Sequence, residues 1–136
     1  MIKLRTKAIG LNKPIEVKLT VKRRKLANAY MISALKNDLR QPTKPAADET
    51  EEDADRRVTE DVLSGFEAVN DFADETLAFI KDFLGLSDTQ IAKIEDGIEE
   101  SVLYDYANYL FRRSQGTTDA EFDAQGKETT TDPKEP

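Results

Sequence analysis

Apolar residues fall at alternate positions over 2–8 (Ile-Lys-Leu-Arg-Thr-Lys-Ala) and again over 15–21 (Ile-Glu-Val-Lys-Leu-Thr-Val). A period of two is strand spacing, and Gly10, Asn12 and Pro14 between the runs supply turn chemistry. The pattern predicts a β-hairpin with Ile2, Leu4, Val17, Leu19 and Val21 on its apolar face. A lone hairpin is marginal in water, so that face has to pack on helices.

From Arg23 to Leu39 the spacing becomes helical. Leu26, Ala29, Tyr30, Ser33 and Ala34 form one stripe, and Met31, Ile32, Leu35 and Leu39 widen its apolar face. Pro42 and Pro45 then stop the helix. Residues 46–55 carry seven positions of acid or Thr and nothing apolar beyond Ala, so 41–57 reads as an acidic, solvated or disordered linker. It lies close enough in sequence to fold back over the basic start of the first helix.

Val58, Val62, Phe66, Val69, Ala73, Leu77, Ile80 and Leu84 keep helical spacing through to Gly85. This predicts one long helix, or two helices broken near Asp71–Asp74, with Gly85 as the C-terminal cap. Ser87 with Gln90 is a capping-box pattern that opens a short helix ending at Asp96-Gly97. A last helix is predicted from Ile98 to Ser114, with Val102, Tyr106, Tyr109 and Leu110 inward. Residues 115–136 hold one aromatic, Phe122, and read as a disordered acidic tail in which Phe122 is uncommitted. The expected fold class is α+β: an N-terminal β-hairpin on a small helical bundle, forming a single domain over 1–114.

Charge changes this picture. Residues 1–44 hold 12 Lys/Arg and 2 Asp/Glu, net +10; the rest of the chain's 20 and 27 leave 8 and 25, net −17, and the sum is −7. Lys22, Arg23, Arg24 and Lys25 open the first helix, although a helix start prefers anions. Their expected role is contact with acid on protein, either the 48–55 run or another copy of the chain. Such complementary halves also predict self-association that weakens with salt. A remainder at −17 weighs against nucleic acid, even with Arg112-Arg113 added to the patch.

Candidate chemistry is sparse. There is no Cys and no His, which removes thiol nucleophiles, imidazole acid–base work and the usual zinc ligands. The 48–55 acids lack EF-hand spacing, and no phosphate-loop pattern occurs. Ser33 and Lys36 form a Ser-x-x-Lys without its companion segments, while Glu95-Asp96 and Glu99-Glu100 are neighbours that point apart on a helix. The expectation is a protein that is not an enzyme and has no cofactor or metal. No apolar run approaches the roughly 18 residues of a membrane span, and a reducing intracellular setting is expected.

The order of parts resembles a known family. A hairpin opening Met-Ile-Lys-Leu, a basic first helix, "ETLAFIKDFLG" (75–85), "LSDTQIAKIEDGI" (86–98) and a final helix are similar to the tail assembly chaperones of siphophages and prophages of Gram-positive bacteria. The resemblance covers about residues 1–114. It implies a non-catalytic protein of the host bacterial cytoplasm that keeps the tape measure protein soluble and is absent from the mature virion. It also implies a possible longer, frameshifted form that recruits tail tube protein.

A chaperone of that kind needs an exposed apolar groove. The aromatics expected to line it are Phe66, Phe72, Phe79, Phe83, Tyr104 and Phe111. The alternatives are a small phage structural or head–tail joining protein, found in virions, and a nucleic-acid-binding regulator working through Lys22–Lys25.

Overall fold

Strand β1 (Ile2–Leu4) pairs antiparallel with β2 (Ile15–Val17), in the register Ile2↔Val17, Lys3↔Glu16, Leu4↔Ile15. The computed structural model describes residues 1–130, with side chains through 125. Leu4 and Val17 turn into the core, as the alternation requires. A 3-10 turn (Lys7–Ile9) closes on Gly10, whose φ of 82° is left-handed backbone that glycine adopts without strain. Ile9 from this turn is buried as well.

The second strand is shorter than its alternation suggests. Thr20 caps helix α1 (Val21–Asp38), its hydroxyl accepting from the Arg23 amide at 3.1 Å. Val21 is therefore the first helical residue, 75% exposed, and does not belong to the hairpin face. Along α1 only Ala27 and Tyr30 are buried; Ala29, Ile32, Leu35 and Leu39 are exposed. The apolar face is narrower than expected because α2 and α4 cover one side of α1 and no described element covers the other.

Helix α2 (Glu51–Leu84) is one unbroken helix of 34 residues, about 50 Å long. It begins inside the stretch expected to be a linker. Thr50 caps it through the Asp53 amide at 3.0 Å, and Glu51, Glu52 and Asp53 sit where the helix end is partially positive. The acidic run is thus largely a helix start. Residues 43–49 pack back on α2's own N-terminal half. Thr43 donates to the Asp61 carboxylate from N and Oγ1 (3.2 and 2.8 Å), and Arg57 bridges the Thr43 carbonyl (2.9 Å) and Glu49 (2.8 Å).

Gly85, at φ 74°, ends α2 with its amide on the Lys81 carbonyl at 2.8 Å. Helix α3 (Asp88–Gly97) opens with the full Ser87/Gln90 capping box, and Lys81 pairs with Asp88 across the turn. Helix α4 (Glu100–Ser114) buries Leu103, Tyr106, Ala107, Tyr109, Leu110 and Ser114. Val102 is only half-buried. Tyr30, Leu77, Phe79, Ile80, Phe83, Leu84 and Ile94 complete the core with the hairpin's Leu4 and Val17.

The stretch after Gln115 is not featureless. Helix α5 (Asp119–Thr130) folds back toward β1, and Phe122 packs edge-on against Tyr109 with ring centroids 5.2 Å apart. Phe122 is thus a packed residue. The part of the expected tail at 131–136 lies outside the described residues.

Candidate partner-binding surface

One helical stripe on α2 has two fates. At its C-terminal end Leu77, Ile80 and Leu84 are 8%, 0% and 5% exposed, while Val58, Val62, Phe66 and Val69 of the same stripe are 51%, 52%, 68% and 54% exposed. The sequence spacing does not change between the halves; the covering element does. Helix α4 starts at Glu100, and that residue and Tyr104 share a groove with Val69 and Phe72. N-terminal to Val69, no part of α4 reaches the stripe. Leu63 is exposed nearby, as are Ile32, Leu35 and Leu39 on the outer side of α1.

Where cover ends, α1, α2 and α4 enclose a groove of about 440 Å³. Tyr30, Phe72 and Tyr104 line it: Phe72 stacks on Tyr104 (5.4 Å) and on Tyr30 (5.5 Å), and Tyr30 stacks in turn on the core residue Phe79 (4.7 Å). The stack is held from beneath by polar contacts. Tyr30 shares a 2.8 Å hydrogen bond with Thr76, whose hydroxyl donates to the Phe72 carbonyl at 2.8 Å. Burial pushes the Tyr30 phenol above its ordinary pKa; at Tyr104 burial and then the Glu100 carboxylate act in the same direction. Both phenols are neutral over the ordinary pH range. Asp38 and Glu100 stand on the rim, so the apolar floor has an acidic edge.

Among the described residues, no group of three His, Cys, Asp or Glu could hold a metal ion, and no helix is long and apolar enough to cross a membrane. What the surface offers is apolar area in line with an existing helix. The model of the family described as phage tail assembly chaperone proteins, TAC, matches residues 2–131. The chain belongs to the phage tail assembly chaperone family. No curated protein and no solved structure matches it. The family match runs past residue 114 and through α5, further than the resemblance seen in the sequence.

The six aromatics expected to line a partner-binding groove divide by exposure. Phe66 is bare on the α2 stripe; Phe72 and Tyr104 are half-buried in the groove. Phe111 is half-buried against the core. Phe79 and Phe83 are core residues, 5% and 0% exposed, and cannot meet a partner without unfolding. Helical spacing alone does not distinguish them from Phe66, because that depends on how far α4 extends. Val58, Val62 and Val69 are exposed on the same stripe as Phe66, and their spacing marks only the helix.

Within the chain, two cations of the basic run meet helix-end carbonyls and not the 48–55 acids. Arg23 Nε donates to the Phe83 carbonyl at 2.7 Å and its Nη1 to the Lys18 carbonyl at 3.1 Å; Arg24 Nη2 donates to the Ser114 carbonyl at 2.9 Å. Phe83 and Ser114 stand in the last turns of α2 and α4, where carbonyls lack an intrahelical donor and carry partial negative charge. These two cations therefore cap helix ends. The 48–55 acids lie at the other end of α2, about 45 Å away at the helical rise. Lys22 and Lys25 are exposed and make no ion pair among the described residues.

Proposed function

We propose that this chaperone keeps the tape measure protein soluble during tail morphogenesis by taking its amphipathic helices along the bare half of the α2 stripe. The observation that carries the reading is the break in cover at Val69: a client helix laid end-on to α4 would bury Val58, Val62, Phe66 and Val69 as α4 buries Leu77 and Ile80. The acidic rim at Asp38 and Glu100 favours a client helix with Lys or Arg beside its apolar face.

Magnitudes favour many copies per client. Fully burying one such side chain is worth about 1.5–3 kcal/mol, and these are already half covered. The four and Leu63 together give on the order of 4–8 kcal/mol. Association costs about 4–15 kcal/mol in lost freedom. One copy therefore holds a helix weakly, and repeated copies along a long client hold it through avidity. In this reading the protein performs no catalysis, associates with further copies and acts in the host bacterial cytoplasm. It leaves before the virion is complete, and a longer frameshifted form would engage tail tube protein.

Co-expression with the tape measure protein tests this. A soluble complex with several copies per client is expected. A client that stays insoluble and alone, with this chain in purified virions, would replace the reading with that of a structural component.

A further inference from the structure

A second built surface lies where β1, α4 and α5 meet, close to both ends of the chain. Two tyrosines of α4 grip the backbone of Arg5: Tyr106 donates to its carbonyl at 2.6 Å, and its amide donates to the Tyr109 hydroxyl at 3.0 Å. That hydroxyl in turn donates to Asp119 Oδ1 at 2.7 Å. Asp119 stands 3.0 Å from Arg113 Nε, a charge pair whose N–H is not aligned on the oxygen. The Arg5 guanidinium donates twice to Asp123, at 3.0 and 3.2 Å, and lies 5.0 Å from the Tyr109 ring centroid. Phe122 sits between these two acids on the Tyr109 edge.

The residues that form the seat lie outside α5. Arg5, Tyr109 and Arg113 are positioned by β1 and α4, and beside Phe122 remains an open apolar cavity of about 340 Å³ reaching Ala8, Val102 and Tyr106. Beyond Asp119, the occupant is lightly held. Arg5 and Asp123 are half exposed, pairs of that kind contribute little and weaken with salt, and Phe122 is only half-buried. Between α4 and α5 lie only residues 115–118, with Gly116 at φ 101°.

We propose that this seat is a binding site for an acidic helix bearing one Phe, that α5 is its removable occupant, and that α5 of a second copy takes it in trans. Positive seat and negative helix are complementary whichever chain supplies each, so exchange re-forms the same contacts. The short tether gives the resident helix an effective concentration on the order of 1 mM. Copies crowded to that local concentration exchange; dilute copies keep α5 at home.

Two full-length chains remove the competing resident. In Arg5→Glu the seat repels its own Asp123, and in Asp123→Lys the tail is repelled by its own Arg5. Mixed one to one, each seat matches the other chain's tail. The expected result at low salt is a mass above that of either chain alone, with α5 amides regaining exchange protection and both effects lost at high salt. Arg5→Glu/Asp123→Lys in one chain restores the home position and the wild-type mass. A mixture that keeps the separate masses, or α5 amides equally protected in each single variant and wild type, overturns the proposal. Should Arg5→Glu not fold, Asp123→Lys is titrated with a synthetic 115–130 peptide to about 1 mM; saturable binding supports the site and none overturns it.

Discussion

Arg23 and Phe83, 60 positions apart in the chain, are joined by a 2.7 Å hydrogen bond from the guanidinium Nε to the backbone carbonyl. The bond ties the start of α1 to the end of α2, and Arg24 does the same for α4 through Ser114. Three helix ends thereby meet with opposite partial charges, which accounts for cations at a helix start that would otherwise disfavour them. Arg23→Ala should cost about 1–2 kcal/mol in urea unfolding, as expected for charge-assisted bonds to otherwise unpaired carbonyls. Lys22→Ala should stay within about 0.5 kcal/mol. Equal losses at the two positions would mean that the patch acts as bulk charge.

The two halves of the α2 stripe should respond oppositely. Phe83→Ala removes a fully buried ring and should destabilise by about 3–5 kcal/mol. Phe66→Ser should leave the urea midpoint nearly unchanged, within about 0.5 kcal/mol, and reduce client binding. A large stability loss at Phe66 would show that its ring is covered in the free protein.

Alkali should unfold the protein through its phenols. Burial raises the pKa of Tyr30 and of Tyr106, whose hydroxyl donates to the Arg5 carbonyl. The folded state favours the protonated phenol, so that contribution is intact below the ordinary value of 10.0 and is lost as pH rises beyond it. Ultraviolet titration with circular dichroism should show these phenolates appearing late, together with loss of helix. All 4 tyrosines ionising near pH 10 with helicity intact would contradict the packing described.

Gly85 holds φ 74° while its amide closes the last turn of α2. Gly85→Ala should cost about 1 kcal/mol, the usual penalty for a side chain in left-handed backbone. Thermal melting of the pair of proteins measures it.

Much of the fold was legible where a local signal and the burial pattern agree. The hairpin's existence, the Ser87/Gln90 box and the Gly85 stop agree with the sequence, although both strands are shorter than the alternation over 2–8 and 15–21. The first turns of α2 and all of α5 lie in stretches whose acidic composition reads as linker and tail, and only their caps mark them. Thr50 with Asp53 marks the start of α2 inside an acidic run, and Thr118 with Glu121, which exchange hydrogen bonds of 2.9 and 3.1 Å, marks the start of α5. Val21 was lost to its cap at Thr20 in the same way. The destinations of Arg23 and Arg24 were not legible, since backbone carbonyls at distant helix ends leave no trace in side-chain pattern. Nor could periodicity separate Phe66 from Phe83; only the starting point of α4 decides that.

In the proposed complex the client lies on the bare half of α2. A photo-reactive residue placed at Val62 or Phe66 during co-expression with the tape measure protein tests it most directly, with exposed Glu95 on α3 as the control position. Cross-links to the client are expected from 62 and 66 and none from 95. Cross-links from 95 without any from 62 or 66, in a soluble complex, would contradict it.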